Sequence, residues 1–231
     1  MHTSAIAPSS GSRLSRIAWI SVSSAVVFNI AACSGQKRSE APVNTATEVA
    51  HAGSPLRRLN SNPLKAYEIR MRLANIPGPL GEVDGVAQFD VQNPGECATI
   101  EPFIGAIPRI SSNEHFTLTR ISDVEYVGMV YADQMLDEDY YGRGVCRWAL
   151  AEARVVFKAS EGAADTRFVY GLSAELVRAQ GMQIRYFWSG FYPRAKMDAF
   201  RDFGVADLDK VPADKRGEFF SVTLSAQQVG Q

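Results

Sequence analysis

From residue 67 onward, apolar and polar residues alternate along much of the chain, which predicts β-strands. Tyr67, Ile69, Met71 and Leu73 alternate with charged side chains. A period of two is typical of a strand with one buried face, because successive side chains point to opposite sides of the sheet. Similar alternation or extended character predicts further strands at 87–91, 116–119, 125–131, 146–158, 166–169, 182–188 and 218–226.

Turns and short helical segments separate these strands. The turn at 122–123 predicts a hairpin between 116–119 and 125–131, while the alanines of 146–158 also permit a helix. Ser173 and Gly181 bracket one short helix as cap and stop, and 196–203 predicts a second one before Gly204. We therefore expect a mainly β fold, either a single antiparallel sandwich or a partly closed barrel, with one or two short helices.

The first part of the chain has a different pattern. Arg13 and Arg16 precede an uncharged, largely apolar stretch that leads to Ala31, Ala32 and Cys33. A positive start, an apolar centre and a small-residue exit are typical of a secretory signal peptide. A membrane-spanning helix and an ordinary cleaved signal are the alternatives, but Ser21, Ser23, Ser24 and Asn29 make a poor permanent span.

The exit Ile30-Ala31-Ala32-Cys33 resembles the lipobox of bacterial lipoproteins. The resemblance implies that residues 1–32 are removed and that Cys33 is lipidated as the first residue of the mature chain. Ser34 stands where an aspartate commonly retains such proteins in the inner membrane, so the expected location is the periplasmic face of the outer membrane. Acyl chains supply the membrane affinity, so the folded part needs no membrane surface of its own.

Composition divides the mature chain into a tether and a domain. Residues 33–62, rich in Gly, Ser, Pro, Ala, Thr and Asn, predict a flexible tether behind the lipidated cysteine, and 63–231 predict the β-rich periplasmic domain. Across 63–231 there are 18 Lys and Arg against 23 Asp and Glu, a formal charge of −5. The whole chain carries −1, which argues against a nucleic-acid binder.

Cys97 and Cys146 are the cysteines that remain once Cys33 carries a lipid. In an oxidising compartment such a pair predicts a disulfide. The alternative, a reactive thiol, would need an activating neighbour such as a histidine or a CxxC spacing, and the sequence offers neither.

The acidic loop (Asp133–Gly144) is the most polar segment of the domain. We predict that it binds a protein partner, with its acids facing a basic cleft and its tyrosines as rigid anchors. The predicted contact residues are Asp133, Asp137, Glu138, Asp139, Tyr140 and Tyr141. The spacing does not match the pattern of a calcium loop or of a glycosidase carboxylate pair, and a solvated connection is the plainer alternative.

Aromatic residues concentrate at 186–188 and 191–193. On a strand, Tyr186 and Trp188 share one face and Phe187 the other, so one set packs in the core and the other is available for a binding surface. His115 is the only histidine of the domain, and no nucleophile-elbow, zincin or phosphate-loop motif occurs. We therefore expect a non-enzyme without catalytic residues, metal or cofactor.

A lipobox, a long tether, an acidic domain and one disulfide together resemble small periplasmic lipoproteins that act as immunity proteins against interbacterial toxins. The resemblance implies a membrane-tethered binding lipoprotein that occludes a secreted toxin. A structural or assembly lipoprotein, as in a secretion machine, would instead leave a sheet edge or apolar patch open. A cell-wall glycan binder would place aromatics and amides on one exposed face.

We predict that Cys33→Ala leaves an unprocessed precursor in the inner membrane, because no other residue near the exit can accept a lipid. Labelling of cells with a clickable fatty acid measures this directly. Equal label in the variant and the unsubstituted protein would exclude the lipoprotein interpretation.

Overall fold

The computed structural model describes residues 56–98, 105 and 107–230, so Cys33 and most of the tether lie outside the described residues. The first sheet has the strand order β4-β5-β1-β10-β8, and every neighbouring pair in it is antiparallel. Its strands are β1 (Ala66–Ala74), β4 (Leu118–Ser122), β5 (Glu125–Tyr131), β8 (Met182–Trp188) and β10 (Phe219–Gln228).

The second sheet has the order β3-β2-β6-β7-β9 and is antiparallel except for β9, which runs parallel to β7. Its strands are β2 (Glu82–Val91), β3 (Ser111–Phe116), β6 (Trp148–Lys158), β7 (Arg167–Ser173) and β9 (Arg201–Asp202). Two short α-helices, α1 (Pro94–Cys97) and α2 (Ala174–Arg178), and the 3-10 helices Ser189–Phe191, Leu208–Lys210 and Ala213–Glu218 connect the strands. The mainly β class is confirmed, and the architecture is a sandwich rather than a closed barrel.

Four phenylalanines from both sheets meet in the core between them. Phe157 and Phe168 come from the second sheet, Phe187 and Phe220 from the first, and all four are fully buried. Their neighbouring ring centroids lie between 5.2 and 5.7 Å apart, in stacked and edge-to-face pairs. Such pairs stabilise beyond the burial of their apolar area, so this cluster joins the sheets.

The predicted hairpin of 125–131 with the strand before it is confirmed, but the earlier strand does not begin at 116. Phe116 ends β3 in the second sheet, and Leu118 begins β4 in the first. A Cβ added to Gly85 or to Gly128 would lie within 2.9 Å of the Phe116 ring. The chain therefore changes sheets at Thr117, where two glycines leave room for the ring.

The helix predicted over 196–203 is wrong. This segment contains turns and the two-residue strand β9. β9 pairs with Arg167 and Phe168 of β7, and this pairing fixes the backbone of the segment. The predicted strand over 146–158 is correct from Trp148 onward, because β6 lies between two strands and its alternate residues are buried in the core. The helix after Ser173 is also confirmed, and the Ser173 hydroxyl caps it.

The folded part begins earlier than Pro63. Leu59 forms a β-bridge with Met135, and the backbone N–H of Asn60 donates to the carbonyl of Gln134 at 2.7 Å. Arg57 forms an ion pair with Glu114 at 2.5 Å. The composition of residues 57–62 predicted a part of the tether, but these contacts make the segment part of the folded domain.

The predicted disulfide between Cys97 and Cys146 is present, with 5.2 Å between the Cα atoms. Both cysteines are fully buried. Cys97 ends α1 just after β2, and Cys146 lies just before β6, at adjacent ends of two paired strands. The bond therefore joins the chain just after the acidic loop to α1, which follows β2.

We predict that replacing both cysteines by alanine lowers the free energy of unfolding by roughly 4 kcal/mol, because the open chain regains the entropy of a loop of 49 residues. Chemical denaturation measures the loss. Reduction of the unsubstituted protein serves as the control and should give a similar loss. A change of less than about 1 kcal/mol in both would contradict the assigned role, since it is well below the chain-entropy value.

Candidate functional site: an acidic loop and an aromatic cavity at opposite ends

In the acidic loop, Asp133 and Asp137 bind backbone groups of the fold, although Asp137 is exposed. The Asp133 carboxylate accepts hydrogen bonds from the N–H groups of Leu64 and Lys65 at 3.0 and 2.9 Å. The Asp137 carboxylate accepts one from the N–H of Trp148 at 2.8 Å. Both carboxylates therefore connect the loop to the first residues of neighbouring strands.

The next residues of the loop also have partners within the fold. Asp139 accepts the backbone N–H of Arg143 at 3.0 Å, and Glu138 forms an ion pair with Arg58 at 2.8 Å. The Tyr140 hydroxyl donates to the carbonyl of Leu136 at 2.6 Å. The same hydroxyl accepts the N–H of Arg58 at 3.1 Å.

These contacts give the acidic loop a structural role. The sequence predicted that these acids face a basic cleft of a partner, but backbone N–H groups and Arg58 of the domain itself already bind them. Tyr140 and Tyr141 are half-buried and pack against the core. Binding of a partner by this loop stays a prediction, and the acids that remain exposed for it are Asp137, Asp139 and part of Glu138.

The loop does not form a metal site in the part of the chain that the structure describes, where no three His, Cys, Asp or Glu side chains cluster suitably. Burial disfavours the Asp133 carboxylate, but the N–H groups of Leu64 and Lys65 outweigh it and lower its pKa. The pKa of Asp139 is lowered in the same way by N–H groups of residues 141–144. Both groups are therefore held as anions by backbone donors.

A cavity lies at the opposite end of the first sheet. Ala66 of β1 pairs with Tyr131 of β5 beside the acidic loop, whereas Trp188 pairs with Phe219 at the other end of β10. The cavity has a volume of about 460 Å³. We name it the aromatic cavity; its lining includes Trp188, Phe191, Arg194, Lys196, Met197 and Phe200.

The lining of the aromatic cavity is apolar and partly open to solvent. Phe191 packs between Trp188 and Phe200, with 4.9 Å between ring centroids on either side. The exposed fraction is 38% for Trp188 and 63% for Met197. Exposed side chains of this size next to one another mark a contact surface more often than isolated ones do.

Hydrogen bonds hold the cavity wall in place. The Tyr192 hydroxyl donates to the carbonyl of Pro79, in the turn between β1 and β2, at 2.5 Å. The fully buried Thr166 accepts the N–H of Ala195 at 2.9 Å, and the N–H of Arg167 donates to the carbonyl of Phe200 at 2.8 Å. The wall is therefore formed before any ligand arrives, which lowers the entropy cost of binding.

Charged groups of both signs surround the cavity, but the two that line it, Arg194 and Lys196, are cationic. The Trp188 indole N–H donates to Glu218 at 2.9 Å, which orients the ring. Arg194 forms an ion pair with Asp198 at 2.5 Å, and Lys196 has no ion pair with any described residue. The rim thus presents positive charge beside an apolar floor.

The sequence identified part of this cavity. The alternation over 186–188 left one aromatic set for a surface, and the structure buries Phe187 while Trp188 remains exposed. Met197 and Phe200 were missed, because their segment was predicted as a helix. Gly204 could not have corrected this, because its positive φ of 61° suits a glycine that ends a helix as well as one in a turn.

Comparisons with known proteins give no relative: no family model, no curated protein and no solved structure matches the chain. Within residues 56–98, 105 and 107–230, no helix is long and apolar enough to cross a membrane.

We predict that Asp133→Asn lowers the free energy of unfolding by about 1 kcal/mol near neutral pH. The NH2 group of the introduced asparagine is a donor and cannot accept the backbone N–H that one carboxylate oxygen accepts now. A lowered pKa means that the folded state favours the ionised carboxyl, so its contribution is complete above about pH 4 and is lost on further acidification. The difference between the two proteins should therefore shrink below about pH 4.

Denaturant titrations at several pH values measure this difference. Asp123→Asn is the matched control, since the Asp123 side chain is 92% exposed and, among the residues that the structure describes, its ion-pair partner is Arg120 at the surface. A difference for Asp133→Asn that is absent near neutral pH, or that grows on acidification, would contradict the backbone contacts.

Proposed function

We propose that the chain is a lipid-anchored periplasmic binding protein that captures a protein partner through the aromatic cavity. The observation that carries the proposal is the exposed, preformed apolar cavity with a cationic rim. Trp, Met and Arg are enriched at protein interfaces, and the side chains that contribute most sit in pockets near the centre. The expected partner presents an apolar side chain flanked by acidic residues.

The position of the cavity supports a tethered binding role. The chain reaches the sandwich beside the acidic loop, where Leu59 pairs with Met135. The aromatic cavity lies at the other end of β10, beside Phe219. A lipid on Cys33 would thus attach at one end of the domain and leave the binding end accessible in the periplasm.

An immunity protein that occludes a secreted toxin is the most specific form of this proposal. It rests on the resemblance of the lipobox, tether, acidic domain and disulfide. In that form the predicted acidic contact falls mainly on Glu138, whose ion pair with Arg58 is at the surface and is worth little to stability. The carboxylates of Asp133, Asp137 and Asp139 contribute by holding the loop in shape.

One observation favours an assembly lipoprotein as the second candidate. β4 is a short edge strand with exposed Ile121, and Val127 and Met129 lie beside it in a shallow cavity. An open edge next to apolar side chains is able to pair with a strand of another protein. A glycan binder has less support, because no amide side chain is among the described residues that line the aromatic cavity.

The test uses the tagged full chain, produced in the cells in which this protein occurs naturally. The amount of partner protein that is purified together with it is measured. We predict that Met197→Asp weakens capture about tenfold or more, because a desolvated carboxylate replaces an apolar contact and removes binding energy typical of an interface centre. Met182→Asp is the matched control: Met182 is 69% exposed and lies toward the acidic-loop end of the same strand that ends in Trp188.

Glu138→Gln tests the acidic loop separately without removing a backbone hydrogen bond. Loss of capture in Met197→Asp alone supports the aromatic cavity. Loss in Glu138→Gln with normal capture in Met197→Asp would overturn the cavity as the contact and favour the loop. Equal loss in Met182→Asp and Met197→Asp would reject a specific site at either place.

A further inference from the structure

Four arginines line a groove to which three strands of the second sheet and β8 of the first sheet contribute. Two adjoining cavities of about 260 and 240 Å³ share Arg154, Val169 and Phe203. Arg185 lines the first cavity, and Arg167 and Arg201 line the second. We name this feature the basic groove.

Arg167 and Arg201 are opposite one another on paired strands. The parallel pairing of β7 and β9 makes them direct neighbours, and neither side chain has an ion pair or hydrogen bond to a described residue. Like charges directly opposite on a sheet destabilise it. A bound anion between them would convert this repulsion into attraction.

Arg185 and Tyr170 line the inner part of the groove with unused polar atoms. Tyr170 is 3% exposed, and its hydroxyl and the Nε of Arg185 are buried without a hydrogen bond to any described residue. The Arg185 guanidinium lies over the Tyr170 ring, 5.2 Å from its centroid. The Tyr170 ring thus holds the Arg185 guanidinium in place, and Arg185 lines the groove with a charge that no described carboxylate pairs.

Acidic groups in the groove do not cancel this charge. Glu152 pairs with Arg154 at 3.0 Å, which leaves Arg167, Arg185 and Arg201 uncompensated among the lining residues. Burial raises the pKa of Asp202, next to Arg201 in sequence, and its carboxyl accepts the N–H of Gly204 at 2.8 Å. The groove is thus a local positive site on a domain that carries −5 over residues 63–231.

We propose that the basic groove binds a phosphate group. A phosphate carries close to two negative charges and three acceptor oxygens, and the guanidinium fork matches its geometry in two parallel hydrogen bonds. A single carboxylate would neutralise fewer of the arginines. The exposed Phe203, 59% accessible, forms an apolar wall against which the rest of a phosphorylated molecule packs.

The confined size of the groove indicates a single phosphorylated group rather than a polyanion. A long nucleic acid needs a continuous basic surface, which a net acidic domain does not provide. The phosphate therefore belongs either to a soluble phosphorylated compound or to a phospholipid headgroup. Both sources share the chemistry that the arginines recognise.

The experiment is calorimetric titration of the full chain in detergent with pyrophosphate at low salt. We predict that the double variant Arg167→Gln and Arg201→Gln binds pyrophosphate about a hundredfold more weakly, from about tenfold per arginine removed. The matched control is Arg143→Gln with Arg178→Gln, which removes two exposed arginines elsewhere on the domain. Without pyrophosphate the groove variant should unfold at the same or a higher temperature, because a like-charge pair is gone.

Vesicles of phosphatidylglycerol and of phosphatidylcholine distinguish the two sources. Because the acylated chain and the uncleaved Cys33→Ala precursor both insert into any vesicle, the full chain is incorporated into vesicles of each lipid. Headgroup binding is then measured as a rise in the unfolding temperature of the domain that the groove variant loses. Saturable pyrophosphate binding that the groove variant loses supports a soluble phosphorylated ligand; loss confined to phosphatidylglycerol vesicles supports a headgroup. No binding of either probe, or equal loss in the groove and control variants, would overturn the proposal.

Discussion

The contact between four phenylalanine rings is the interaction on which the rest of the structure depends. Phe157 and Phe168 reach it from one sheet, and Phe187 and Phe220 from the other. Removing one such ring from a close-packed core costs about 3–5 kcal/mol, a large part of the stability of a domain this size. The same cluster fixes β8, so that Phe187 points inward and Trp188 must point outward. The exposed wall of the aromatic cavity is thus a consequence of core packing.

Strand periodicity was a good guide to the fold because most strands bury one face only. The alternation in β1, β5 and β10 reports that face directly. In β8 it does not, because Met182, Ile184 and Trp188 are exposed and Phe187, on the other face, is buried. The change of sheet at Thr117 was not visible, because the alternation continues through it while the hydrogen-bond partners change. The helix predicted over residues 196–203 was wrong for a related reason. Pairing with β7 sets the backbone of this segment, and the helix propensity of its own residues does not.

The two candidate surfaces differ in how well sequence reveals them. A cluster of carboxylates is conspicuous in a sequence, but whether backbone N–H groups match them depends on the fold, and Asp133, Asp137 and Asp139 are matched. The aromatic cavity needs Phe200 beside Phe191, and only the link between residues 164–167 and 193–200 brings them together. Charged residues of a surface can therefore be recognised in the sequence, whereas a cavity depends on tertiary contacts that the sequence does not show.

The central claim is that the end of the domain far from the acidic loop makes the functional contact. The most direct measurement places a photo-crosslinking amino acid at Met197, and separately at Met182 and Glu138, in the full chain of living cells. The account predicts one discrete protein adduct after illumination with the probe at 197 and none with the probe at 182. An adduct from position 138 alone, or the same adducts from 182 and 197, would contradict it.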